Sequence, residues 1–563
     1  MTTHARARVV LAVAAAILTL DACATTMTQR NDVTLAIVNA RVWTANPRQP
    51  WASGVAVSGD RIIAVGSSAE IAKLARSAPS ARVIDAKGGF VTPGFIDSHV
   101  HFVDGGFRLA SVQLRDAKTP AEFVARIKAY AATITPGTWI TGGDWDHQQW
   151  GGELPRRDWI DSVTPNNPVW VSRLDGHMAL ANSAALAAAK VTRAIPDVDG
   201  GTIVRDAAGE PTGIFKDNAE SYVGAAEPPR SADLNDRALA AAMRYVAERG
   251  VTSVQNMGTF EDLATFERAN AAKSLITRIY AVTPIAQWER LRDTVSKRGK
   301  GDAWVRIGGL KGFVDGSLGS HTAAMFARFT DTPKDSGFLV ETEKDLYRWT
   351  SEGDKAGLQL IVHAIGDRAI STQLDIFERV MKENGPRDRR FRIEHAQHLA
   401  PRDIPRFAEL GVIPSMQPYH AIDDGRWAEK VIGHERSRTT YAFRSLRDAG
   451  ARLAFGSDWF VAPPTPLEGI YAAVTRRTLD DRNPDGWIPQ QKIGVEDALR
   501  AYTINGAFAS FEDAIKGSLE RGKLADLVLI DGDIARIPGP AIRDARVLMT
   551  VVGGRVVYEA PSR

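Results

Sequence analysis

The sequence predicts a mixed α/β fold built around a (β/α)8 barrel, and two observations carry this prediction. Eight apolar, strand-like segments lie in the middle of the 563-residue chain, with helical patterns between most of them. Short runs rich in Val and Ile, separated by Gly, Asn and Asp, occur at both ends of the chain. We therefore expect a barrel and, beside it, a small composite β-sandwich domain to which both chain ends contribute.

The first residues have the pattern of a secretion signal. Arg6 and Arg8 precede an apolar run at 9–20, which is too short to span a bilayer. "LDAC" follows at 20–23 and resembles a bacterial lipobox, although Asp21 departs from the small or apolar residue usual there. We expect a signal peptide at 1–22, export to the periplasm or outer membrane, and a lipid on Cys23, the only cysteine. Simple cleavage nearby, with Cys23 discarded or free, is the alternative.

The two predicted domains follow from the order of the segments. Residues 33–91 and 517–563 form the composite β-sandwich. Residues 92–516 form the barrel, whose strand-like segments lie at 95–102, 250–258, 277–284, 305–317, 357–367, 390–398, 411–420 and 451–460. The interval at about 103–235 is too long for one β-to-α connection and is interpreted as a subdomain inserted after the first strand. Five of the 13 tryptophans lie at 139–170 in this insertion, either as a lid over a pocket or as the core of the subdomain.

Charge and composition restrict the partners. Charged residues make up 24% of the chain and the net charge is +3, with neither sign in long runs. This balance gives no electrostatic basis for nucleic-acid binding, so we expect a small-molecule substrate. A membrane contact is expected only through a lipid on Cys23. The sequence does not fix the oligomeric state, and a homodimer is compatible with it.

The stretch "PGFIDSHVHF" at 93–102 places two histidines one residue apart at the end of the first barrel strand. Successive side chains of a strand point to opposite faces, so His99 and His101 share one face. They are either two polar residues at a strand end or a pair of metal ligands.

Further ligand types lie near the ends of other predicted strands. Lys311 is in the fourth, His363 ends the fifth, His395 the sixth, and Asp458 the eighth. Carboxyl ends of barrel strands converge on one mouth, so these side chains together predict a metal site.

These motifs resemble the amidohydrolase superfamily, whose barrels bind one or two divalent metals. "KGFVDGSLGSHTA", "VHAIGDRA", "RIEHAQ", "RLAFGSDW" and "YTINGAFAS" are similar to its amidohydrolase-3 branch, which includes YtcJ-like proteins and N-substituted formamide deformylases. The same holds for "NPVWVSRLDGHMALANSAAL" in the insertion. His321 departs from the branch, in which Arg is expected at that position.

The resemblance implies a role for each ligand. His99, His101 and Asp458 would bind a first metal, and His363 and His395 a second. Lys311 would bridge the two as a carbamate, so the implied cofactor is a pair of zinc ions. A one-metal site, with Lys311 simply paired with a carboxylate such as Asp315, is the alternative.

The expected reaction is hydrolysis of a C–N bond by a metal-activated hydroxide, with Asp458 as proton acceptor and donor. His177 is either an oxyanion helper or a structural residue of the insertion, and His321, Asp315 and Trp145 are candidates for substrate contact. Glu394 should face away from the barrel interior and support or pack against the site rather than ligate. The resemblance favours N-substituted formamides or N-acyl amines as substrates. Lactone, carbamate or imino-bond hydrolysis on the same site is the first alternative, and a non-catalytic binding relative the second.

Overall fold

The computed structural model describes residues 32–561, so the predicted signal peptide and Cys23 lie outside the described residues. The predicted fold class is confirmed. An eight-stranded sheet, parallel throughout, forms the barrel, and three further sheets belong to the added domains. No helix within 32–561 is long and apolar enough to cross a membrane.

The barrel strands follow one another around the sheet in chain order. We label them β1 to β8: Phe95–Val100, Val251–Met257, Arg278–Pro284, Val305–Phe313, Gln359–Ala364, Arg392–His395, Ile413–Met416 and Ala454–Phe455. Near their carboxyl ends, the backbone N–H of Asp458 donates to the carbonyl of His99 at 2.7 Å, and that of His101 donates to Trp459 at 2.6 Å. These bonds link β8 to β1, so the sheet is nearly closed.

Helices surround the barrel and cover its outer face. They are Phe102–Arg108, Ala232–Ala247, Phe260–Ala271, Trp288–Arg298, Glu343–Lys355, Asp367–Asn384, Ile404–Glu409, Pro418–Asp424, Ala428–Ile432, His434–Ser437, Phe443–Asp448, Pro466–Thr475, Val495–Ala501 and Ile504–Ala509. The helix Asp367–Asn384 shows why they form: Ile370, Leu374 and Phe377 are buried at helical spacing and make one apolar face.

Both chain ends contribute to a β-domain of two sheets. The first contains, in spatial order, Arg61–Gly66, Gly54–Ser58, Leu35–Val38 and Arg82–Asp85, with the helix Ser68–Arg76 against it. The second contains Arg555–Glu559, Val547–Val552, Leu527–Ile530, Phe90–Pro93, Arg41–Trp43 and Trp51–Ala52. Apolar residues of both sheets pack in one core. The strand Phe90–Pro93 leads directly into β1 and thereby fixes this domain to the barrel.

The segment between β1 and β2 forms a subdomain around a mixed six-stranded sheet. Its strands are, in spatial order, Gly201–Arg205, Pro211–Asp217, Met178–Ala181, Val169–Arg173, Ile140–Trp145 and Val112–Gln113. Its helices are Pro120–Ala131, Arg157–Ile160, Ser183–Ala188 and Ser221–Gly224. Residues of this subdomain and of the barrel mouth line one cavity, which places the subdomain over the carboxyl ends of the strands.

Candidate metal centre

His99, His101 and Asp458 lie together at the barrel mouth. The Oδ1 atom of Asp458 is 3.3 Å from Nε2 of His99 and 3.3 Å from Nε2 of His101. This oxygen is buried and has no hydrogen-bond partner among the described residues. A buried carboxylate oxygen without a donor is costly unless a cation is present. The three residues can therefore hold one metal ion, their ligand atoms all lying within 4.8 Å of one another.

The protonation states at the centre suit metal binding. Burial lowers the pKa of His99, His363 and His395 well below the ordinary value, so these imidazoles are neutral and keep a lone pair for a ligand. Burial alone would raise the pKa of Asp458, but the nearby His99 and His101 outweigh it and lower this pKa to about 2. The carboxylate is thus anionic at neutral pH and can act as a ligand.

A buried carboxylate fixes the orientation of His99. Nδ1 of His99 donates to Oε2 of Glu394 at 2.5 Å, which leaves Nε2 facing the centre. Arg392 donates to both oxygens of Glu394, at 2.8 and 3.0 Å, and to the carbonyl of Ser98 at 2.7 Å. Arg392 and Glu394 are both fully buried. This arrangement fixes the tautomer of His99 and makes the imidazole a stronger ligand.

The expectation that Glu394 faces away from the barrel interior is wrong. Along β6, Arg392 and Glu394 are two residues apart and therefore share the inward face. His395 follows directly, yet its side chain also reaches the centre, because its backbone has a φ of 70° and leaves the extended conformation. The turn at the strand end breaks the simple alternation on which the expectation rested.

His363 and His395 form the second part of the cluster. Their ring centroids are 4.5 Å apart, and the rings of His99 and His395 are 5.0 Å apart. The Nδ1 atom of His395 lies 2.8 Å from Oε1 of Gln417, and Nε2 of His363 lies 3.0 Å from the carbonyl of Gly316. Each ring thus has one nitrogen held by the protein, and no described residue forms a hydrogen bond with the other nitrogen.

Lys311 is buried beside these histidines. Its Nζ lies 3.3 Å from Nε2 of His99. Burial lowers the pKa of Lys311 to about 8, although the carboxylates of Glu394 and Asp458 oppose this effect. Part of the population therefore carries a neutral amine near neutral pH, which is the form that can react with carbon dioxide.

Asp315 is not the partner of Lys311. Its carboxylate accepts hydrogen bonds from the backbone N–H groups of Ala324, Ile365 and Gly366, each at 2.8 or 2.9 Å. It is fully buried and connects the loop after β4 to the loop after β5. Asp315 therefore holds two loops of the barrel mouth together and does not face a substrate.

A cavity lies between this cluster and the inserted subdomain, with an empty volume of about 570 Å³ that is partly open to solvent. His177 enters it from the subdomain, its ring centroid 4.9 Å from that of His363. Nδ1 of His177 lies 2.7 Å from Oδ1 of Asp217. Burial alone would lower the pKa of His177, but the hydrogen bond to Asp217 raises it above the ordinary value. His177 is thus positioned as a hydrogen-bond donor facing the cavity.

Trp145 and His321, two candidates for substrate contact, lie elsewhere. Trp145 is fully buried in the core of the inserted subdomain, where Nε1 donates to the carbonyl of Val171 at 2.8 Å. Nε2 of His321 lies 3.1 Å from both carboxylate oxygens of Asp331. Neither residue lines the cavity, so the structure gives the first a packing role and the second a role in the loop after β4.

His420 lines the cavity but was not identified from the sequence. His420 follows β7 in the helix Pro418–Asp424, and it groups with His395 and Asp458 as a set of potential metal ligands. The only signal in the sequence is its position just beyond a strand end, in "MQPYH", where the other site residues also occur.

A comparison with protein families identifies the family of the chain. The profile described as "Amidohydrolase family" matches residues 82–558, which is most of the chain. The chain belongs to the amidohydrolase family. The predicted membership and the prediction of a hydrolytic enzyme are both confirmed.

Individual relatives match most of the length of this chain. Protein LONG AFTER FAR-RED 3 of Arabidopsis thaliana is 40% identical and covers 93% of this chain and 91% of its own. The putative amidohydrolase YtcJ of Bacillus subtilis is 30% identical, with coverages of 89% and 95%. The N-substituted formamide deformylase of Arthrobacter pascens is 31% identical, with coverages of 95% and 99%. A crystal structure of an uncharacterized metal-dependent hydrolase from Pyrococcus horikoshii OT3 has a TM-score of 0.73 and 27% identity, covering 90% of this chain and 99% of that one.

Proposed function

We propose that this protein hydrolyses a C–N bond of the amide type in a small molecule, with N-substituted formamides or N-acyl amines as substrates. One observation carries the proposal: neutral imidazoles lie beside the anionic Asp458 at the cavity, and Oδ1 of Asp458 has no hydrogen-bond partner among the described residues. The similarity to an N-substituted formamide deformylase over nearly the whole chain supports the substrate class.

The residues present fit a divalent metal, and we propose two zinc ions. His99, His101 and Asp458 would hold the first ion, and His363 and His395 the second, with Lys311 between them as a carbamate. A divalent cation here would lower the pKa of a water molecule to about 7 and polarise the substrate carbonyl. The burial of Lys311 and its 3.3 Å separation from His99 support the bridging role.

The chain itself supplies proton transfer and positioning. Asp458 is anionic, and its Oδ1 receives no hydrogen bond from the described residues, so it accepts the proton of the attacking water and passes it to the leaving nitrogen. His177, held by Asp217, donates a hydrogen bond from the opposite wall to the carbonyl oxygen. The inserted subdomain covers the site and limits the access of water.

A substrate panel tests the reaction. Purified protein loaded with zinc should release amine from N-substituted formamides or N-acyl amines faster than it opens lactones, carbamates or cyclic imino bonds. His99→Ala and Asp458→Ala should abolish this activity while the circular dichroism spectrum is retained, because each removes a ligand. His434→Ala is the matched control, since this exposed histidine lies on a helix outside the cavity. Wild-type activity in either ligand variant would refute the assignment. A preference for one of the other bonds would favour the alternative reaction.

Metal content tests the bridge. With wild type purified in bicarbonate, we expect about two zinc ions per chain. Lys311→Ala should lose the second ion first, because that ion would retain only His363 and His395, whereas the first keeps three ligands. Short carboxylic acids should restore part of the activity by occupying the vacated bridge. One ion per chain in both proteins would support the one-metal alternative.

Export and lipidation remain a proposal from the N-terminal sequence. Full-length protein expressed in a Gram-negative host should fractionate with membranes, and Cys23→Ser should not, because a lipoprotein carries several acyl chains. Identical soluble fractions for the two proteins would leave secretion without an anchor.

A further inference from the structure

His420 faces the cavity with a buried, unpaired nitrogen. Its Nε2 atom is inaccessible to solvent, and no group in the described part of the chain forms a hydrogen bond with it. The residue lines the cavity together with His177, His395 and Asp458. A polar atom that is shielded from water and left without a partner is unfavourable unless a ligand completes it.

His420 lies beside two of the residues proposed as metal ligands, His395 and Asp458. One ligand atom each of His395, His420 and Asp458 lies within 4.8 Å of the others. The rings of His395 and His420 are nearly parallel, with an angle of 8° and a centroid separation of 6.4 Å. His420 therefore lies beside Asp458, the residue proposed to transfer the proton.

His420 differs from the residues assigned as ligands. Nδ1 of His99 and of His395 is held by Glu394 and Gln417, respectively, which is the usual arrangement for a ligand. For His420, Nε2 has no hydrogen-bond partner among the described residues, so this nitrogen is available to a substrate atom or to a metal ion. Because each of the two proposed ions already has at least three protein ligands, we assign His420 to the substrate.

We propose that His420 is a catalytic residue that contacts the substrate, donating a hydrogen bond from Nε2 to the oxygen of the scissile carbonyl. This proposal rests on the proposed hydrolysis of a C–N bond. His177 enters the cavity from the inserted subdomain and His420 from the helix after β7, so the two side chains can donate to the same substrate oxygen. Donors of this kind stabilise the negative charge that develops during attack.

Three variants test the role of His420 in zinc-loaded, full-length protein. His420→Ala should lower kcat by about 100- to 1,000-fold, the effect of removing one oxyanion donor, with KM changed only a few-fold. His420→Gln, whose amide nitrogen can reach the place of Nε2, should recover at least tenfold over Ala. His434→Ala should match wild type. Zinc content and the visible spectrum of cobalt-substituted protein should be the same in all four proteins.

A binding measurement gives a readout without turnover. Acetohydroxamate, whose oxygens resemble those of the reacting centre, should bind His420→Ala at least fivefold more weakly than wild type in calorimetry. Unchanged kcat and unchanged affinity would overturn the proposal, and a loss of zinc would make His420 a ligand instead. Should Ala fail to fold, the Gln variant and His420→Asn, whose amide lies nearer Nδ1, provide the same comparison. Inactivity of wild type on the C–N panel is a separate result that would refute only the proposed function, because the affinities still report on His420.

Discussion

Replacing Glu394 by Gln should weaken both the metal centre and the fold. Oε1 of Glu394 accepts from Nε of Arg392, and Oε2 accepts from Nδ1 of His99 and from Arg392. Gln offers a single acceptor oxygen and places an NH2 group at the other position. In either orientation of the amide, one buried donor therefore faces another donor. The substitution also removes the only carboxylate that pairs with the fully buried Arg392 among the residues described.

Two magnitudes follow from this geometry. Loss of a carboxylate that orients a metal-binding histidine costs about 10- to 100-fold in metal affinity, or about 1.4 to 2.7 kcal/mol. Removing one partner of a buried ion pair costs about 3 to 5 kcal/mol in stability, because the remaining charge stays buried without compensation. Arg392 also contacts the carbonyl of Ser98 and Oγ of Ser415, so the destabilisation should reach β1 and β7.

The assay separates the two effects. Zinc affinity is measured by competition with a chromophoric chelator, and stability by urea unfolding of the metal-free protein. Glu352→Gln is the control, because the ion pair of Glu352 with Lys355 is solvent-exposed and should be worth less than about 1 kcal/mol. A Glu394→Gln protein with wild-type zinc affinity and a wild-type unfolding midpoint would refute the reasoning.

Three other substitutions test the surroundings of the site. Burial, together with the charge of Asp423, raises the pKa of Asp424 to about 7. An unfolded aspartate releases its proton near pH 4, so the stability contributed by this group falls as the pH rises from about 4 to about 7. The stability of Asp424→Asn relative to wild type should thus increase between about pH 4 and pH 7 and stay constant above pH 7. If the urea midpoints of the two proteins had the same dependence on pH, this prediction would be wrong. Trp145→Phe should lower the unfolding temperature, because the hydrogen bond to the carbonyl of Val171 is lost at a cost of about 1 to 3 kcal/mol. KM should stay unchanged. A raised KM at unchanged stability would instead support a substrate contact by Trp145. Gln417→Ala should release Nδ1 of His395 and reduce the zinc content toward one ion per chain. In cobalt-substituted protein, the visible spectrum of the ion at the first metal position should persist. Two tightly held ions would show that Gln417 does not orient His395.

The barrel was predictable because its strands have an unambiguous pattern. Parallel strands that are covered on both faces appear in the sequence as continuous apolar runs. Each of the eight predicted segments contains one of the observed barrel strands. Residues such as His99 and His363 are conspicuous because a polar side chain at the end of an apolar strand indicates a functional role. The fold of this family then places the strand ends around one mouth.

The remaining site residues depend on backbone geometry that sequence spacing does not reveal. Glu394 and His395 both reach the centre because the chain turns at His395. Asp315 has the appearance of a site residue but is occupied by three backbone N–H groups. His420 lies beyond its strand, inside a short helix, where a histidine in sequence is indistinguishable from a solvent-exposed one. The roles of these residues therefore follow only from the three-dimensional structure.

The composite β-domain can finish folding only after almost all of the chain has been synthesised. The strand Leu527–Ile530 pairs with Phe90–Pro93, and Arg82 meets Glu559 across 477 positions of sequence. During synthesis, the N-terminal strands must therefore wait, with one sheet edge open, until nearly the entire chain has been made. Loss of the last 40 or so residues would leave Phe90–Pro93 as an exposed edge next to β1, the strand that carries His99. A late nonsense mutation should consequently cause aggregation and loss of the site, even though every predicted metal ligand is still translated.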